Sequence, residues 1–420
     1  MHCPLNPIML GLLALTLPAL AGSADAAERG QVLVNDAAGA TQLMLGDGDT
    51  ATYAGAGAAI DVSVAGNTVR GAGITVTAGS ASARSTIGVR ASAGGKVTLS
   101  DSAIKTLGDG QGAHALAASG AGSVVSVSGS DVSTQGTYSH GAYAQSGGRI
   151  ELDGGTITTT NSGSRGLSAE GAGSVIVARD VVLSTAAYNA GGAYAENGAS
   201  ITLHGGKITT TGNYGDGISV RGANALVSVY GTEINVGVGM GARLEGGRLV
   251  MDGGSLTAGG SAVMLSSGTG AASSVDIRNA TLTSTGDFGY GININAKDTS
   301  AAVENVSISA LGYYGTGVWL PSTGTSFTAT GFDLTSSHVG VDNRAGRVTL
   351  VDGNVTTRDA NAHGLYVSRE YGSSATIKAT KVNVKTRGDG AVGVLARASG
   401  AAIELLDASV TTEGASAYGL

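Results

Sequence analysis

The chain has 420 residues, of which 71 are glycine and only 4 proline, and its formal net charge is −7. Glycine this abundant without a Gly-X-Y period excludes collagen, and 42% hydrophobic against 13% charged residues excludes a disordered low-complexity chain. Lys and Arg form no cluster, which argues against nucleic acid as a partner, because neutralising phosphates needs a concentrated basic face.

The first element in chain order is an apolar run from Ile8 to Leu20, followed by the small-residue patterns Ala19-Leu20-Ala21 and Ala24-Asp25-Ala26. The run is too short for a comfortable membrane span. Residues 1–26 read as a secretory signal peptide, with His2 as the only basic group ahead of the apolar run. Cys3 is the single cysteine, so the mature chain must hold together in an oxidising compartment without disulfides. Residues 27–87 are expected to form irregular first coils or a cap, with strand-like runs at 60–64 and 74–77.

From residue 88 one phrase recurs about every 25 residues, a solenoid period. It reads His140-Gly141-Ala142-Tyr143-Ala144, then Arg165-Gly166-Leu167-Ser168-Ala169, then Gly191-Gly192-Ala193-Tyr194-Ala195, and continues to Gly419. The anchors begin at Gly88, Gly112 and Gly141, with Ala262 as the one exception to glycine. Each is expected to let the chain turn so that the next residue points inward. After the anchor, apolar and variable positions alternate, the mark of a strand with one buried face.

A second strand follows, as in Arg149-Ile150-Glu151-Leu152 and Ser200-Ile201-Thr202-Leu203, and then a third, as in Thr156-Ile157-Thr158-Thr159 and Lys207-Ile208-Thr209-Thr210. Asp153-Gly154-Gly155 and His204-Gly205-Gly206 separate them, where glycine supplies positive φ and Asp bonds its own turn. Three strands per coil predict an all-β fold, a parallel β-helix, right-handed by the general preference of parallel crossovers. Residues 88–420 would form a regular rod roughly 65 Å long. The chain stops at Gly419-Leu420, inside a new first strand, so it is expected to be a portion of a longer protein.

The signal peptide, the cysteine-free mature chain and coils of the form G-h-x-h … G-G-x-I-x-L-x-G-G-x-I-T-T together resemble the passenger region of bacterial autotransporters of the pertactin type. The resemblance covers nearly all of the chain from residue 88 and, more weakly, 31–87. It implies export through the periplasm to the cell surface, outer membrane or extracellular space, carried by a C-terminal outer-membrane translocation barrel. No set of amphipathic barrel strands is present in this sequence. It further implies an adhesin or virulence factor whose partner is a host-cell or bacterial surface protein or glycan. A polysaccharide-active β-helix enzyme and a truncated passenger without function are the alternatives.

Arg387-Gly388-Asp389 spells an integrin-type tripeptide on a corner, although Gly-Asp turns recur at Gly108-Asp109 and Gly215-Asp216 and give it a plain structural meaning. Tyr143, Tyr194, Trp319 and Tyr366 take the outward second position of the first strand, while Tyr138, Tyr214, Phe288 and Tyr314 fall three residues before an anchor. Such rings offer rigid contact area to a sugar or a protein, or staple neighbouring corners. Asp101, Asp153, Asp180, Asp252, Asp352 and Asp407 follow the second strand and read as turn residues rather than paired catalytic carboxylates. His140 and His363 precede anchors and His114 falls within a first strand. No metal-binding spacing, nucleophile motif or inserted globular domain appears, so no catalytic residue, metal or cofactor is expected.

Overall fold

A computed structural model of the chain describes residues 26–80, 85–108, 110–368, 375–397 and 399–420; the apolar leader before Ala26, and Asp109, lie outside them. The described chain is all-β, a parallel β-helix. One face is a 15-stranded sheet built from the first strand of each coil, and a 28-stranded sheet carries the second and third strands. Val32–Val34 and Gly57–Ser63 open the 15-stranded sheet, in register with Thr86–Ser92.

The alternation seen in the sequence is the alternation of burial. In Arg149–Asp153 the side chains of Ile150 and Leu152 are buried and their neighbours are not. Pairing coil on coil stacks like on like, so Ile157, Leu183, Ile208, Ile234 and Leu256 form one continuous inner wall. Each such side chain contributes roughly 1.5–3 kcal/mol of burial, and only stacking removes it from water. Ser-Thr and Thr-Thr pairs close the third corner. Their second member is buried, and Thr134, Thr185 and Thr210 donate Oγ1 hydrogen bonds to the carbonyls of Ser139, Ala190 and Gly215 at 2.8, 3.1 and 3.2 Å.

Between second and third strands the expected positive φ is present at Gly154 and Gly155 (66° and 79°) and at Gly205 and Gly206 (60° and 70°). Asp101, Asp180, Asp352 and Asp407 take the first of these two positions in their own coils, at φ of 49° to 51°. Asp153 and Asp252 stand one residue earlier, as the last residues of their strands, so the acidic residues occupy two slots rather than one. In Ser326–Ser336, Arg347–Thr357 and Thr376–Thr386 the second and third strands run on as a single strand of 11 residues. The corner survives there as one left-handed residue, Gly331, Asp352 or Lys381, because the ladder continues on both sides of it.

Two readings of the anchors are corrected. Leu116 pairs with Val89 and Ala142, which places Ala115, not Gly112, in the anchor slot; Gly112 lies three residues earlier, and His114 immediately precedes the anchor, as His140 does. The anchor glycines also do not supply unusual φ. A Cβ on Gly217 would lie 2.6 Å from Ile234 Cγ2 and 2.7 Å from the Gly241 carbonyl oxygen. Glycine is needed for the close approach of two coils and the third-strand side chain, not for the turn.

Candidate functional site

The corner between the third strand and the next anchor has a left-handed residue three positions before the anchor. Gly112, Gly163 and Gly390 fill it with φ of 76°, 68° and 67°, and Asn189 and Asn361 with 52° and 56°. These are the residue types that tolerate this conformation. Tyr138, Tyr214, Phe288 and Tyr314 fill the same slot at 49°, 59°, 55° and 54°. The slot's N–H reaches the next coil, as in Tyr138 to the Ser162 carbonyl (3.0 Å) and Phe288 to the Tyr313 carbonyl (2.7 Å). A bulky side chain there costs on the order of 1–2 kcal/mol against glycine. The four rings are nevertheless 43–66% exposed.

Stacking returns part of that cost. Tyr188 meets Tyr214 edge-on at 5.5 Å, and Phe288 lies parallel to Tyr314 at 5.7 Å. Tyr138 instead covers Gly163, where a Cβ would come within 2.5 Å of its ring.

Beside this edge lies the outward surface of the 15-stranded sheet. At three anchors the preceding residue reaches along the rod. His114 Nδ1 accepts the His140 N–H, His140 Nδ1 accepts the Arg165 N–H, and Asp216 Oδ1 accepts the Met240 N–H, at 3.0, 3.0 and 2.9 Å. The two imidazoles stack at 4.9 Å with Tyr143 against them. Burial pulls the His114 pKa down to about 4 and holds that of His140 well below its ordinary value, with His114 and Arg165 adding repulsion.

The outward second position is less open than its alternation suggests. Tyr194 is only 7% exposed, because the Arg165 guanidinium sits 3.4 Å above its ring. Tyr143 is half-buried and donates to Glu170 at 3.0 Å. Trp319 and Tyr366 are half-buried.

These residues border two shallow depressions. The first, about 400 Å³, has Tyr188 and Tyr214 at its edge and Arg165, Arg221, Arg243, Asp216 and Glu245 around it. Arg243 Nε donates to Asp216 at 2.8 Å. Arg221 lies between Glu196 and Glu245, at 3.8 and 3.6 Å. Burial raises the Asp216 pKa, and Arg243 opposes the rise.

The second, about 310 Å³, has Phe288 and Tyr314 at its edge and Tyr290, Trp319, Asp342 and Arg344 in its wall. Tyr290 and Trp319 stack at 4.8 Å, 13° from parallel. Arg344 donates from Nε and Nη2 to Asp342 at 3.2 and 3.1 Å. His338, His363 and Tyr366 complete it. Tyr194 and Trp319 are five steps apart in one ladder, through Ser219, Arg243, Met264 and Asn293, or ~24 Å at the spacing of paired strands.

The tripeptide lies elsewhere, on the third corner near the C-terminal end, and each of its residues is engaged there. Arg387 Nε is 3.7 Å from Glu413. Asp389 Oδ1 accepts the Ala415 N–H at 2.8 Å. Gly388 is buried, and a Cβ on it would collide with the Asp359 carbonyl, as one on Gly312 would with that of Gly286. Of the residues singled out in the sequence, Trp319 and Tyr366 share the second depression, Tyr194 lies in the first, and Tyr143 joins the histidine stack. Arg165, Asp216, Arg243, Asp342 and Arg344 were missed, because each looks like an isolated charge until coils are aligned in register and read as columns. Among the described residues no group of three metal-ligating side chains forms.

Compared with protein-family models, with curated proteins and with solved structures, the chain finds no match in any of the three.

Proposed function

We propose that this rod is a non-enzymatic binding element of an exported bacterial surface protein, the passenger of a pertactin-type autotransporter acting as an adhesin. The secretory leader, the absence of cysteine after it and the glycine-rich coils support export. One observation carries the binding role: exposed aromatic rings occupy a left-handed corner slot that sister coils fill with glycine, asparagine or serine. The backbone gains nothing from a ring there, and stacking between neighbouring rings returns only part of the cost, which supports a role for the exposed rings outside the fold. Repeated weak contacts on a stiff rod add by avidity.

The test is adhesion of the purified rod to intact cells. Tyr214→Gly combined with Phe288→Gly is expected to leave the fold intact, since glycine suits the slot, and to weaken adhesion by about tenfold or more. Unchanged adhesion would overturn the reading.

A second reading is favoured by the first depression, which gathers Asp216 and Glu245 with Arg165, Arg221 and Arg243 across adjacent coils. In a polysaccharide-active enzyme, Asp216, with its raised pKa, would be the proton donor. Reducing ends released from a glycan panel, and lost in Asp216→Asn, would establish turnover. The adhesin reading is preferred because Asp216 is already held by the Met240 N–H and the Arg243 guanidinium.

A further inference from the structure

We infer that the Trp319 cleft is a carbohydrate subsite for the apolar face of a neutral pyranose, and that both depressions hold one linear oligosaccharide laid along the rod. This rests on the binding role proposed above and names its ligand class.

The cleft has the two components a sugar needs. Tyr290 and Trp319, on neighbouring coils and nearly parallel at 4.8 Å, form a stacked pair in its wall; the stacked faces cover each other and the Arg344 guanidinium lies 5.9 Å from the Trp319 ring centre, so the pair offers the cleft its remaining aromatic area. Aromatic area of this kind packs against the C–H face of a pyranose. Asp342, 6% exposed, is held by the Arg344 fork. Together they present acceptors and donors in fixed positions for neighbouring hydroxyl groups. At about 310 Å³ the cleft is at the small end of ligand sites, which suits a one- or two-ring occupant rather than a protein anchor with its wide apolar surround.

Charge decides which sugar. Asp342 and Arg344 cancel, and burial lowers the pKa of both His338 and His363, which favours their neutral forms. A uronate would therefore meet no net positive charge.

The first depression repeats the plan on the same face, with aromatic corner residues, an Arg–Asp pair (Arg243 and Asp216) and a tyrosine, Tyr194. All three of its arginines are ion-paired. With ~24 Å between the two, a hexasaccharide reaches both and a trisaccharide does not.

Trp319 is the only tryptophan of the chain, so its emission reports on this cleft alone. The rod would be titrated with neutral hexasaccharides of β-1,4-glucose, α-1,4-glucose and β-1,4-N-acetylglucosamine, their trisaccharides, and hexagalacturonate, with calorimetry for variants lacking the indole. One neutral series is expected to shift the emission, its hexamer binding about tenfold or more tighter than its trimer. Trp319→Ala and Asp342→Asn should each lose about tenfold, Trp319→Phe should retain most of the affinity, and Tyr214→Gly should weaken the hexamer only. Silence toward all three neutral series, preference for galacturonate, or binding indifferent to Trp319→Ala would each overturn the inference. Adhesion to cells that persists in a sugar-blind rod would remove the inference and leave the adhesin reading standing.

Discussion

His114 and His140 show how much a single side chain does in this fold. Each uses Nδ1 as an acceptor for the backbone of the next coil, so each must be unprotonated there. With a folded pKa of about 4 for His114 against 6.5 when unfolded, the unfolded chain takes up the proton first. The contribution of this pair is therefore complete above about pH 6.5 and is lost as the pH falls toward 4. Carboxylates with lowered pKa values, such as Asp49 and Glu151, lose their contribution from their unfolded values of 3.8 and 4.5 downward, at the acid end of that window and below it. The melting temperature should fall between pH 6.5 and 4, and His140→Gln should flatten that slope; an equal slope in the variant would contradict the assignment. At this scale the sequence was a partial guide. The positions of the corner tyrosines could be counted from it, but their left-handed φ could not. Nor could the burial of Tyr194, since nothing local to it announces that Arg165, from the preceding coil, lies over its ring.

Strands and corners were more legible, because period-two alternation is repeated in every coil and errors in one coil are corrected by its neighbours. The exceptions have physical causes. Gly112 drew the anchor away from Ala115 because glycine is also what the left-handed slot prefers, three residues earlier. The fused strands of 326–336, 347–357 and 376–386 look in sequence like two strands and a turn, since one left-handed residue leaves the same signature as a reversal. The anchor itself is a contact, which a sequence does not print. Gly217→Ala should destabilise by about 1–3 kcal/mol through overpacking against Ile234 and the Gly241 carbonyl. Adding Ile234→Val should recover part of that loss, measured by denaturant midpoint. If the single variant melts like the parent, space is not what requires glycine.

Across the whole molecule, the depressions are products of stacking. No coil contains one; each needs residues about 25 apart brought into columns, and for that reason the sites were less visible in the sequence than the fold that makes them. The same stacking wires the outer surface of the third strands, where Asn354 donates to Asp333, Asn383 to Asn354 and Ser409 to Asn383 at 2.6, 3.1 and 2.7 Å. A rod so built has nearest-neighbour stability, and the face proposed to bind lengthens with each coil added.

The coils keep their register although they differ in length, from about 21 residues between Gly241 and Ala262 to about 29 between Ala262 and Gly291. The extra residues of the longer coil include 266–272, an exposed or half-exposed segment between Val263–Leu265 and Ser273–Arg278. Length is thus free to vary at a corner while every rung stays in step. That makes the rod a natural carrier: a foreign peptide spliced after Gly268 would ride outside the ladder, displayed at a fixed height along a rigid mast. A ten-residue insert there should leave the melting temperature within a few degrees of the parent, whereas the same insert within Leu249–Met251 should abolish folding of the coils around it.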